Sequence, residues 1–562
     1  TDANGTIAIG YQAGSAITQG QYNTIMGYQA GLALTDNDGN TILGYQAFKT
    51  ANTGENDNVV IGYLAGSEVD NAQNDNNVII GKSAGTGGIG IMAGCIYIGG
   101  KAGENGHVRN QYDNIFIGRG AAGQAFAGQS DRNIGIGTIS MGGASLNGAS
   151  DNIGIGYSTL NGITTGDYNV AIGSNAMLVH TTGNSNIAIG YGAMDDTDAG
   201  STSLGSTENI FIGTDSGGGT WTDAASSYNV GIGHYVMDSA LDGATYNTAV
   251  GWVALSSVTT GDHNTTLGYR AGNGLTTGLY NVIIGSQAGD AASIGNYHVL
   301  IGAFAGSSIN SGDADGTVAI GYQSAQILTS GIGSTAIGYQ ALFSATENDY
   351  NTAVGNRALY SISGSSGTEG EANTAVGRYA GYSTTTGGWN VFVGSGAGFA
   401  NTTGIYNNFI GANAGGSNTT AGNNTYIGWY AAYYQTVGGN NVAIGHQTLY
   451  GASGKSNSAT ENVAIGYQSA MGSDVGTGLT AVGSRALRNV SDSGSYSTAI
   501  GYWSGFYASG SENTFVGANA GLGGTTSAPY STGTKNVAIG RSALSGFTTG
   551  YSNIAIGRNA GD

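Results

Sequence analysis

An aliphatic residue followed by glycine returns at a nearly constant spacing from one end of the chain to the other, and that regularity leaves few folds open. Asn264 to Tyr280 reads NTTLGYRAGNGLTTGLY, and Asn281 starts the phrase again with NVIIGSQAG. With Gly268 as the phase mark, 31 repeats run from Gly10 to Gly557. Successive marks are closest at Gly501 and Gly517 and furthest apart, equally, at Gly190 and Gly213 and at Gly517 and Gly540, and most are spaced like Gly251, Gly268 and Gly285. A short unit that never stops builds a solenoid, because one copy cannot bury its own apolar face and must stack on the next. Length alone would suggest several domains for 562 residues, but the unbroken phase predicts a single continuous repeat domain over 1–562, its pattern running uncapped to both ends.

Reading down the columns gives the rung. The residue before the phase glycine is Ile, Val, Leu or Met in every repeat, as at Ile9, Leu267, Ile284 and Ile556. Two residues earlier stands Val, Ile or Thr, Asn408 excepted, and β-branched side chains suit a pleated strand. Alternation puts these two columns on one face. Their invariant apolar character predicts that this face is the core. Three residues after the glycine a small residue, usually Ala, implies close backbone approach, and Thr-Thr-Gly-x-Tyr supplies turn chemistry before the next strand. No stretch holds a 3.6-residue period long enough for an ordinary helix. The fold expected is therefore all-β, a parallel β-solenoid or β-roll of about 31 rungs with a mostly 17-residue repeat. Stacked at about 4.8 Å per rung, it would be a rod on the order of 150 Å long.

Asn stands four residues before the phase glycine in 24 of the 31 repeats, including Asn23, Asn152, Asn264, Asn390 and Asn553. In-register asparagines can form an amide ladder along a stack. The middle strand column, between the two predicted core columns, is also apolar: Ile25, Phe116, Phe211, Phe392 and Phe515 occupy it. A strand with one face in water should be polar there. Either the rung is so flat that both faces are covered internally, or this column is a seam between parallel copies of the chain. A bare apolar stripe on a free monomer would aggregate, which favours the seam.

At Asn351 to Ser361 (NTAVGNRALYS), Asn169 to Ala176 (NVAIGSNA) and Asn553 to Ala560 (NIAIGRNA) the repeat resembles the head repeats of trimeric autotransporter adhesins. It is more similar still to the Asn-Thr-Ala-[Ile/Val]-Gly repeats of bacteriophage tail-fibre proteins. The resemblance spans essentially the whole chain. It implies a left-handed parallel β-roll, a homotrimer, and a place in the head or shaft of an extracellular or virion fibre that attaches to cells through a glycan or protein receptor. The neck, coiled coil, membrane anchor and self-cleaving chaperone found in such proteins are not in this sequence.

Composition excludes other classes. The chain carries 34 acids against 15 bases, a formal charge of −19 spread thinly, so no basic stripe faces nucleic acid. Nothing approaches the roughly 18 to 20 apolar residues of a membrane span, and no basic-then-apolar leader opens the sequence. Cys95, the single cysteine, takes a position held elsewhere by Asn and reads as a small buried residue. His107, His180, His234, His263, His298 and His446 differ in phase and lack metal-ligand spacing, and no catalytic constellation emerges. The turns Asp36-Asn37-Asp38-Gly39 and Asp313-Ala314-Asp315-Gly316 resemble the start of a calcium loop but lack its bidentate Glu, so ordinary Asx turns are favoured. Aromatic columns follow the phase glycine (Tyr11, Tyr28, Tyr45) and precede the Asn (Tyr168, Tyr246, Tyr280); mutual packing is the favoured role, sugar stacking the alternative.

The sequence thus predicts a non-enzymatic structural and adhesive fibre protein that associates with itself, end to end or as a trimer. Its rivals are a filament subunit without a receptor and, more weakly, a solenoid enzyme acting on polysaccharide. Receptor contacts are expected in four expanded turns, Met194 to Glu208, Tyr360 to Ala372, Tyr450 to Glu461 and Gly521 to Lys535, which lengthen the repeat without disturbing the strands.

Overall fold

The computed structural model describes all residues except 1–2, 89, 106–108, 198–204, 223, 365–368, 454–456, 473–475, 491–494 and 528–529. The central parts of the four expanded turns, and His107, lie outside the described residues. The chain forms two compact units, Thr1–Asn281 and Val282–Asp562. Each is a parallel β-solenoid whose strands are three residues long, from Ile7–Ile9 to Thr265–Leu267 in the N-terminal unit and from Val282–Ile284 to Ile554–Ile556 in the C-terminal one. Strands one rung apart pair in parallel and in register, Ile7 on Thr24, Ala8 on Ile25 and Ile9 on Met26. A small second sheet, Met92–Ala93 with Gln111–Tyr112, and a 3-10 turn at Gly312–Ala314 depart from this pattern.

The strand is short because glycine ends it. Gly411 has φ +133°, and a Cβ built on it would sit 2.5 Å from the carbonyl oxygen of Gly428 on the next rung. Backbone stacks directly on backbone here, so no side chain fits. The bend that follows turns the chain with left-handed residues two and four places after the glycine, such as Gln29 (φ 53°) and Met177 (φ 51°). Such conformations cost energy for residues other than Gly. The stack holds them, since the amide of Gln29 donates to the carbonyl of Tyr11 at 2.8 Å and that of Gln46 to Tyr28 at 2.8 Å.

The asparagine column is a continuous buried ladder over long runs. Asn169 shows the pattern: its Nδ2 donates to Asn152 Oδ1 (3.1 Å) and to the Gly183 carbonyl (2.8 Å), while its Oδ1 accepts from the backbone N–H and Nδ2 of Asn186 (3.0 and 3.1 Å). Each amide thereby ties three rungs and closes the turn of its own. Asn23, Asn152, Asn264, Asn390 and Asn553 all take part. Cys95 interrupts the column; its N–H donates to Asn77 Oδ1 (2.9 Å), and burial pushes its thiol up to about 11. Replacing Asn169 with Ala leaves the buried Asn186 backbone N–H without its acceptor and takes one of two partners from the Gly183 carbonyl, which keeps His180 Nε2 at 3.1 Å. A loss of about 2–3 kcal/mol is expected in chemical denaturation, and an unchanged midpoint would mean that water or a shifted rung replaces the ladder.

The core lies on the face opposite to the one expected. Ile9, Leu267 and Ile556 point outward and are exposed, Leu267 by 48%, and Ile284 is half-buried. Ile25, Phe116, Phe211, Phe392 and Phe515, assigned above to a seam between copies, are fully buried inside their own chain. Asn fixes the parity. The ladder amide, four residues before the glycine, must face inward to reach the turn carbonyls of its own rung and the asparagines of its neighbours. Alternation then turns the middle strand residue inward and the two flanking it outward.

With one strand side chain per rung, the core is thin, and volume is shared with the residue four places after the glycine. Phe211 faces Gly217, Phe409 faces Gly415 and Tyr97 faces Gly103, whereas Ala171 goes with Met177, Ala188 with Met194, Gly231 with Met237 and Ala249 with Leu255. A Cβ on Gly217 would lie 2.9 Å from the Phe211 ring. In these rungs large stands opposite small, as close packing requires, and where both are small, as at Ala375 with Gly381, Leu359 and Phe392 of the neighbouring rungs fill the space.

Candidate interaction surface

The outward side of the strands carries the feature that most calls for a partner. In each rung but that of Asn408, two aliphatic or Thr side chains stand on it, as Ile7 with Ile9, Val170 with Ile172 and Thr374 with Val376. Regular stacking turns them into two parallel apolar columns. Their exposure runs from about a third to nearly half at Ile155, Ile172, Leu267, Val376 and Ile410. Contiguous exposed apolar surface is uncommon on a chain that stays alone in water.

Aromatic columns border these stripes. After the phase glycine, Tyr11, Tyr28, Tyr45 and Tyr63 stack with centroids 5.1–5.2 Å apart and planes within 15°. Before the Asn, Tyr228, Tyr246, His263 and Tyr280 stack at 4.8–4.9 Å. The spacing is close to the roughly 4.8 Å between stacked strands, so both faces of an interior ring are covered by its neighbours. Packing is the role these rings serve, and a ligand could reach a ring face only where a column breaks. Glutamines form a comparable ladder beside them, Gln46 Nε2 to Gln29 Oε1 at 2.7 Å.

The acidic turns serve the backbone. Asp38 Oδ1 accepts the Gln21 amide at 2.6 Å, and Asp315 Oδ1 and Oδ2 accept the backbone and side-chain amides of Asn296 at 2.6 and 3.0 Å. Asp75, Asp167 and Asp349 repeat the arrangement one rung above Asn56, Ser150 and Ile332. Asn37 is buried, with Nδ2 on Glu55 Oε2 at 2.6 Å. These carboxylates act as caps between rungs, a role the repeat spacing would have disclosed had the acids been read as a column.

Among the described histidines, His263 and His446 belong to aromatic columns, and His234 Nδ1 accepts the Thr214 amide at 3.1 Å. His180 and His298 are buried, and burial lowers both to about 4. His180 places Nδ1 3.0 Å from Thr197 Oγ1 and Nε2 3.1 Å from the Gly183 carbonyl. Because the folded value lies below that of a free imidazole, the stability that neutral His180 and His298 provide is complete above about pH 6.5. It is lost as pH falls toward 4, on the order of 3 kcal/mol for each. The opposite sign holds on another flank. Burial first, then the neighbouring Asp215, raises Asp195 and Asp238 to about 6, so this cluster destabilises the fold as pH rises from about 4 to 6. Two profiles of thermal midpoint against pH check these signs. His180→Gln with His298→Gln should flatten the acid-side decline, and Asp215→Asn should raise the midpoint at pH 7 but not at pH 4. Wild-type slopes in both variants would assign the pH dependence to other groups.

Searched against family models and against curated proteins, the sequence matches none.

Proposed function

We propose that this protein is the shaft or head of an extracellular or virion fibre, a stiff solenoid that associates with copies of itself and holds repeated weak contacts in register. The observation that carries the reading is the pair of apolar columns on the outward strand face. Parallel copies of one chain present the same columns with the same rise, so side chains can interlock rung for rung along the contact. A homotrimer closes such stripes around a common axis and removes them from water. The resemblance to adhesin and tail-fibre repeats supports the same arrangement. The geometry also suits attachment, because a rigid array lets contacts of low individual affinity act together.

Solution mass tests this directly. Sedimentation of the full chain is expected to give a closed oligomer, three chains by the resemblance, that dissociates when Val376 and Ile410, both on the outward face, are changed to Lys. Circular dichroism should be retained, since neither side chain is in the core. A wild-type chain that sediments as a monomer at micromolar concentration would overturn the proposal. Electron microscopy of the same sample distinguishes discrete rods, as in an appendage, from open-ended filaments.

A further inference from the structure

In the C-terminal unit a third aromatic column stands five places after the phase glycine. Phe343, Tyr360, Tyr382 and Phe399 stack at 5.1–5.2 Å with planes within 9°. The next place in the column is Gly416, and the rings resume with Tyr433, which stacks on Tyr450 at 6.1 Å. The column two places after the glycine, on the same bend, also misses one side chain, at Gly396 between Tyr379 and Asn413; a Cβ there would sit 2.6 Å from Asn413 Oδ1. Two gaps in neighbouring rungs meet and open a depression of about 270 Å³ lined by Arg378, Tyr379, Ser395, Phe399, Asn413 and Tyr433.

The lining has a definite chemistry. Phe399 has one face on Tyr382 and, with no ring at position 416, its other face uncovered; it is 41% exposed. Tyr379 sets its ring at 83° to Phe399 and makes a wall rather than a second layer. The Arg378 guanidinium lies over the Tyr379 ring, 4.8 Å from its centroid, which fixes the cation at the rim by a cation–π contact. Among the described residues no carboxylate forms an ion pair with it. One apolar ring face, an oriented guanidinium, an amide and a hydroxyl around a small open depression match a ligand with an apolar face and a rim of oxygen acceptors and donors.

We propose that this depression is a binding site for a pyranose ring of a glycan. The C–H face of the sugar lies on Phe399, Tyr433 closes the far side, and Arg378 and Asn413 take the sugar's hydroxyl or carboxylate oxygens. The inference rests on the adhesive reading of the fibre and names the class of receptor. A single ring would bind weakly, with a Kd on the order of 1 mM, and one such site per copy in an oligomer supplies the multivalency.

Saturation-transfer NMR on the full chain tests the site, with the methyl glycosides of glucose, mannose, galactose, N-acetylglucosamine and glucuronic acid as separate probes. Transfer to the ring protons of at least one glycoside is expected, reduced at least tenfold in Phe399→Ala and in Gly416→Phe. The second variant fills the slot by continuing the aromatic column. Position 416 is not in the left-handed region, and the nearest obstacle to a new side chain is the movable ring of Tyr433. Transfer confined to the glucuronide and lost in Arg378→Gln identifies a carboxylate sugar, and transfer to neutral glycosides identifies hydroxyl recognition. No transfer to any probe, or transfer that survives both Phe399→Ala and Gly416→Phe, would overturn the proposal. Electron microscopy and sedimentation of the same samples separate the two readings. Intact oligomers without sugar binding reject the site alone, and sugar binding by a monomer rejects the fibre alone.

Discussion

Alanine at Gly411 is expected to be among the most damaging single changes in the chain, costing at least about 4 kcal/mol. Two independent penalties act there. A φ of +133° is closed to an L side chain, and the added Cβ would press on the Gly428 carbonyl, which is backbone and cannot swing away. Relief requires the rungs to separate, which breaks the adjoining ladder bonds such as the Gly411 amide to the Val393 carbonyl at 2.7 Å. In a stacked repeat the damage passes to nearest neighbours first, so the denaturation curve is expected to lose cooperativity as well as midpoint. Gly546→Ala is the control. Its Cβ would meet nothing within 4 Å and its φ lies outside the left-handed range, so its curve should overlay the wild type. A Gly411→Ala midpoint equal to that of Gly546→Ala would refute direct backbone stacking at the phase glycine.

The second large effect is a compensation. Phe211→Ala alone empties the widest part of its rung and is expected to cost about 3–5 kcal/mol. Gly217→Met alone forces a side chain into the Phe211 ring and is expected to cost about 1–3 kcal/mol, or more if the ring cannot move. Together they should recover at least about 2 kcal/mol of the summed loss. The double variant recreates the pairing of nearby rungs, Ala188 with Met194 and Gly231 with Met237. Left-handed backbone is no obstacle, since Gly217 has φ +64° while Met194 and Met237 hold +51° and +46° with full side chains. Additive losses in this cycle would show that the two positions do not share one volume.

The sugar site and the self-association face draw on different parts of the rung. The proposed sugar site uses side chains after the strand and the proposed self-association face uses the strand's outward positions, so separate substitutions test the two. Neither depends on the expanded turns, where receptor contacts were expected from sequence.

What the sequence determined by itself is the period, the strand, its glycine stop and the asparagine column. The period places a three-residue strand directly before each phase glycine, the invariant glycine marks where it ends, and the recurring Asn names the ladder. These follow from local chemistry, since glycine alone tolerates a φ such as the +133° of Gly411 and an amide offers both donor and acceptor along a stack. Tertiary structure decided which face is inside. Both strand faces are apolar in nearly every repeat, so hydrophobicity could not choose between Leu267 and its inward neighbour Thr266. The choice came from Asn264, whose amide must reach Gly278 and Asn247 inside the rung and so turns Thr266 inward and Leu267 out. A sign of this was present in the sequence, in the exchange of large and small residues between Phe211 and Gly217 or Ala188 and Met194. It gains meaning only when the two positions are known to meet across one thin core. The depression at Phe399 needed the coordinates for the same reason. Gly396 and Gly416 fall in successive repeats and are ordinary among 105 glycines, and only stacking brings the two missing side chains together into a single opening.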